Sequence, residues 1–96
     1  MRLGRRAVFV RKLKAATEVP YQVLAIACLI RATGKAYQRT IKPRFQSDVR
    51  CALALAQAAI ESAEHFIKTN LSWLQEPAYA AGMRKRIRRA MHPDVR

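Results

Sequence analysis

The side chains in this sequence that can donate, accept or bind are mostly cations. Lys and Arg number 19 against 6 acidic residues, a formal charge of +13 with a pI near 11.2. The acids, Glu18, Asp48, Glu61, Glu64, Glu76 and Asp94, do not cluster. They form no paired-carboxylate acid/base site and no oxygen cage for a hard cation. Cys28 and Cys51 fall in apolar stretches expected to be helical, where buried free thiols and a reducing compartment are the expectation. His65 and His92 have no Cys or His neighbour at ligand spacing, so no metal is expected. Three widely separated glycines cannot make a phosphate loop. These residues therefore read as a non-enzyme, with no cofactor and no small-molecule substrate. What remains is charge. Such an excess repels itself in a compact chain and is relieved by a polyanion, whose neutralised phosphates release counterions.

The elements that must position these cations are helices. At 96 residues the chain makes one small domain, which buries only a modest share of its surface and invites a partner. The longest apolar run, Val23 to Ile30, is too short to span a bilayer, so no membrane partner is expected. The start, MRLGRRAVFVRKLKAATE, is Arg-rich and acid-free until Glu18, a composition like that of a mitochondrial presequence.

Pro20, Pro43, Pro77 and Pro93 punctuate the chain, and Pro20 and Pro77 suit first positions of helices. A short helix is expected over about residues 5 to 17, with Arg5, Arg6, Arg11 and Lys12 on its cationic side. A second runs from about 20 to 37, weakened or ended by Gly34. A basic loop follows, carrying Lys35, Arg39, Lys42 and Arg44 with Tyr37 and Phe45. From 47 to 74 there is neither Gly nor Pro, and Val49, Leu53, Ala56, Ile60, Ala63, Ile67, Leu71 and Leu74 recur at steps of three and four. That is one continuous apolar stripe on a helix, capped by Ser47 and Asp48, and its length is roughly 40 Å. Leu55, Ala59 and Phe66 widen the stripe. Two short neighbouring helices could not cover it, so a second copy of the long helix is expected to cross it. A closing helix, about 77 to 91, carries Arg84, Lys85, Arg86, Arg88 and Arg89. The organisation reads as a basic N-terminal helix over 1–18, a main domain over 19–92 and a tail over 93–96.

The stretch RFQSDVRCALALAQAAIESAEHFIKTNL, Arg44 to Leu71, resembles the loop and central helix of the histone H-three family. Arg44, Phe45, Gln46 and Ser47 match that family's opening, and Thr69, Asn70 and Leu71 its close, at ungapped spacing. VPYQVL, Val19 to Leu24, is similar to the family's first-helix element, and KRIRR, Lys85 to Arg89, to its closing one. The long N-terminal tail is absent, and Trp73 and Glu76 stand where the family has a basic step.

The resemblance implies an all-α histone fold: short, long and short helices with an extra N-terminal basic helix, paired as a dimer. It implies an architectural protein that packages double-stranded DNA with a histone H-four-like partner. Arg44 would enter the minor groove, with Lys42, Arg39 and Lys35 on nearby phosphates and Arg5, Arg6, Arg11 and Lys12 near DNA entry and exit. The partner interface would comprise Val49, Leu53, Ala56, Ile60, Ala63, Ile67, Leu71, Leu74 and Trp73, with self-association at the end of the central helix. Such a protein would lie in the nucleus or chromatin, or in a virus particle or nucleoid, and the presequence-like start leaves the mitochondrion as a lesser alternative. Two other readings stay open: a small basic ribosomal RNA-binding protein, and a histone-fold assembly subunit of a transcription or centromere complex.

Overall fold

In a computed structural model, which describes residues 4–94, the chain forms an all-helical rod of 64 × 20 × 18 Å. Three α-helices follow one another: α1 (Arg5–Tyr37), α2 (Gln46–Leu74) and α3 (Pro77–Met91), with a single 3-10 turn at Pro43–Phe45 leading into α2. α2 and α3 lie within one residue of the ends expected from periodicity and proline placement.

The N-terminal half is different. The expected short basic helix and its successor are one 33-residue helix with Pro20 inside it. Pro20 lacks the N–H that would bond the carbonyl of Ala16, and Ala16 is exposed. Gly34 does not end α1 either; an added Cβ there would meet Leu53 Cδ2 at 2.8 Å, so glycine allows α2 a close approach. Joined in this way, α1 is long and apolar enough to cross a membrane by length and composition.

α1 and α2 lie antiparallel, as side-chain bonds between Arg31 and Gln57 (2.7 Å) and between Asn70 and Thr17 (3.1 Å) show. Their contact buries Leu24, Ala27 and Cys28 against Ala56, Ile60, Ala63 and Ile67, with Met83 of α3 closing one side. Tyr79, Ile87, Ala90 and Met91 of α3 and Leu71 of α2 pack against this core. The stripe expected to meet a partner is therefore covered by the chain's own helices. Ala56, Ile60, Ala63, Ile67 and Leu74 are buried, Val49, Leu53 and Leu71 half-buried, and Trp73 alone of that set stays 64% exposed. The reason is length. A 33-residue α1 runs beside the whole of α2, which two short helices could not do.

The caps differ from expectation as well. α2 starts at Gln46, so Ser47 lies inside the first turn and makes no capping bond, although Asp48 does place a negative charge there. Gln46 instead clamps the preceding loop, its amide donating to the carbonyls of Gln38 (2.8 Å) and Ile41 (3.0 Å). α2 ends on Gln75 in the left-handed region at φ 52°, its N–H returning to Leu71 O at 3.2 Å. Glycine adopts that conformation without the Cβ penalty. Gln75→Gly should raise stability by about 1 kcal/mol, the order of the left-handed penalty it removes; a thermal melt with unchanged or lower Tm would show that the Gln75 side chain matters more than its backbone strain.

Candidate functional site: a polar clasp between the first and last helices

Two ion pairs join α1 to the α2–α3 corner. One turn apart on α1, Lys14 and Glu18 point to the same side. Arg86 of α3 forks onto Glu18, with Nη1 to Oε1 at 2.5 Å and Nη2 to Oε2 at 3.0 Å, and lies 4.0 Å over the ring of Tyr21. Lys14 Nζ meets Glu76 Oε1 at 3.1 Å and lies 5.1 Å from the ring centre of Tyr79. The Tyr79 hydroxyl donates to Lys14 O at 3.5 Å. Beneath this layer Asn70 of α2 donates to Thr17 Oγ1, and fully buried Thr17 donates to Leu13 O at 2.6 Å. Asn70 thus ties two helices of one chain together, and neither caps α2 nor sets a pairing register.

Electrostatics keep the clasp locked. The hydrogen bonds from Arg86 hold the Glu18 carboxyl below its ordinary value of 4.5, against a smaller opposing effect of burial. The same bonds push Arg86 up, so both partners report one interaction. Burial raises the Tyr79 phenol, keeping it protonated. Burial likewise raises the Cys28 thiol. Glu76 Oε2 is the single buried side-chain oxygen or nitrogen without a hydrogen-bond partner among the described residues. A guanidinium and an ammonium already committed to carboxylates are poor substrate ligands; this arrangement positions α3.

The residues expected to touch DNA are scattered. Lys35, Arg39, Lys42 and Arg44 lie exposed around the α1–α2 loop, where Arg44 stacks on the Phe45 ring at 4.8 Å. Arg5, Arg11 and Lys12 are exposed near the other end of the rod. Arg6 is engaged within the chain, donating to Leu74 O at 2.5 Å and Trp73 O at 3.4 Å, where it caps the C-terminus of α2. Cys51 is exposed, contrary to the buried thiol expected, whereas Cys28 is buried. Sequence reasoning missed Lys14, Glu18, Glu76, Tyr79 and Arg86 as a group, because 62 to 68 residues separate the partners. The available signal was Glu18, the first acid in an otherwise cationic segment.

The remaining surface feature is apolar. On the side of the α1–α2 pair away from α3, grooves run along the rod between Val19, Val23, Ile26 and Ile30 of α1 and Ala52, Leu55, Ala59 and Phe66 of α2. No charged residue lines them. Ile26 is 58% exposed, Leu55 67% and Phe66 59%.

The described residues thus form a clasped three-helix rod with one bare apolar side. The sequence profile of the formiminotransferase-cyclodeaminase family matches residues 3–89, nearly the whole chain, and the chain belongs to that family. No curated protein and no solved structure matches it. The family is one of metabolic enzymes, so the resemblance to histone H-three does not stand. With it go the DNA-packaging function, the DNA and histone partners, the expectation of a non-enzyme, and the ribosomal and assembly-subunit alternatives.

The sign of the clasp's pH response follows from Glu18. Its folded-state pKa is depressed, so its stabilising contribution is full above about 4.5 and disappears as pH falls through the lower folded value. Both side chains are more than a third exposed, so after solvent screening the pair contributes about 1 kcal/mol at most near neutrality. Thermal melts of wild type and Glu18→Gln should therefore differ at pH 7 and converge towards pH 3. A constant gap across that range would place the stabilisation elsewhere.

Proposed function

We propose that this chain is an oligomeric helical module of a folate-metabolising enzyme, with a second copy packed on the charge-free face of α1 and α2. Family membership supports the enzyme class. The observation that carries the oligomer is the uncharged groove itself.

A chain of formal charge +13 resists self-association through most of its surface. It meets a copy of itself without like-charge contact along the one side where Val19, Val23, Ile26, Ile30, Leu55 and Phe66 stand free of Lys and Arg. Burying apolar area there is favourable at about 25 cal/mol per Å². A standard interface removes about 800 Å² per partner, within reach of a face that runs along most of a 64 Å rod. The rod's radius of gyration, 17.1 Å, exceeds the value of about 12 Å for a compact chain of this length. One copy thus leaves apolar surface for a neighbour to complete.

The family's name joins transfer of a formimino group to a cyclodeamination, which closes a ring and expels ammonia. Such chemistry needs a water-poor, enclosed setting. Helices packed from two copies supply one more readily than a single open rod.

Sedimentation equilibrium at micromolar concentration should give a mass at least twice the 10.9 kDa of one chain. Introducing charge with Ile26→Glu and Phe66→Glu should shift the mass to one chain, whereas Arg39→Glu on the loop should not. The associated protein should release ammonia from a formimino-substituted folate, and the Ile26→Glu/Phe66→Glu protein should not. A wild-type chain that sediments as a monomer sinks the oligomer; an oligomer without ammonia release sinks the enzymatic part.

A further inference from the structure

A second groove lies on the opposite flank of α2. Leu71, Ile87 and Met91 form its floor over the buried Ile67, and Lys68, Arg84, Arg88 and Glu64 line it as well. The placement follows from helical spacing: residues 64, 67, 68 and 71 of α2 share one stripe, and 84, 87, 88 and 91 of α3 share another. The volume is about 340 Å³, near the lower end of small-molecule pockets, which span roughly 300–1,000 Å³.

The rim is electrostatically incomplete. Arg84 and Arg88 are like charges four residues apart, a spacing that destabilises a helix, and Lys68 faces them from α2 across the groove. Among the described residues the ion pairs are Lys14–Glu76 and Arg86–Glu18. Among the described residues none of the three rim cations forms an ion pair with a carboxylate, Glu64 included. Three cations held around an apolar floor raise the free energy of the empty groove, and an anion with an apolar body lowers it on both counts.

We propose that this groove binds a soluble amphiphilic carboxylate. The carboxylate sits among Lys68, Arg84 and Arg88, with an arginine fork receiving its two oxygens, and an extended apolar body lies on the half-buried Leu71, Ile87 and Met91. A small concave groove suits a molecule more than a bilayer. Ile67 is fully buried and cannot insert into lipid, and the large exposed apolar side chains of α1 and α2 lie on the other face. The inference does not depend on the oligomer, whose interface uses that other face.

Calorimetric titration of the full chain with octanoate, acetate and 1-octanol tests it. Octanoate should bind at least tenfold more tightly than either acetate or octanol. Arg84→Gln/Arg88→Gln should weaken octanoate at least tenfold with an unchanged helical circular dichroism spectrum, and Lys68→Gln should weaken it in the same direction. Arg39→Gln/Arg44→Gln, on the distant loop, should leave it unchanged. Equal binding of octanol, or undiminished octanoate binding by the Arg84/Arg88 and Lys68 variants, overturns the proposal. So does loss of octanoate binding in Ile26→Glu with the rim intact, which would place the ligand on the α1–α2 face. Binding of the chain to phosphatidylserine vesicles that octanoate cannot compete away would point to a lipid surface and reject the soluble ligand.

Discussion

The antiparallel contact between α1 and α2 is the constraint on which the rest of the structure depends. It is built largely from small side chains, with Ala27 and Cys28 facing Ala56 and Ala63 around the larger Leu24, Ile60 and Ile67. Small residues at a helix contact let the axes approach closely, and the larger ones then fill the intervening space. Gly34 extends the same logic to the far end, where its missing Cβ leaves room for Leu53. Once two long helices are held side by side, their positions around the axis decide every other surface. One flank receives α3, and the other stays bare. The clasp of Lys14, Glu18, Glu76 and Arg86 adds direction to the α3 contact more than energy, because its members remain partly exposed.

This arrangement separates charge from apolar surface. Cations gather at the α1–α2 loop, at the start of α1 and along α3, while the flank bearing Ile26, Leu55 and Phe66 holds none in its grooves. Polyanion binding uses the cations and leaves the bare flank unexplained. The proposed self-association would use the flank and space the cations apart. In the second account net positive charge limits non-specific aggregation of a chain that still exposes apolar surface.

Much of the secondary structure is legible in the sequence. The alternating steps of three and four from Val49 to Leu74, unbroken by Gly or Pro, specify α2, and Pro77 marks the start of α3. Pro20 is where local reasoning fails. A proline inside a helix costs about 3 kcal/mol, so a sequence alone argues for a boundary there. Tertiary packing on both sides, through Thr17 and Leu24, holds the helix continuous across it. The clasp is less legible still, since no local pattern links Lys14 to Glu76 or Glu18 to Arg86.

The histone resemblance failed for a related reason: most of the residues that match at the two ends of α2 have a local task that any helical hairpin can require. Gln46 clamps the Gln38–Ile41 turn, and Arg44 rests on Phe45. Thr69 bonds the His65 carbonyl at 3.0 Å, Asn70 reaches Thr17, and Leu71 packs against the core. Such residues recur wherever a basic loop opens a long alanine-rich helix whose far end must be tied to a neighbour, so the letters report that situation and not an ancestry. What separates the two folds is the length of the first long helix. A short one leaves the stripe of α2 for a partner to cover; a 33-residue α1 covers it from within and moves the exposed apolar surface to the flank. The tolerance of one helix for Pro20 therefore decides which face of this molecule is available to others.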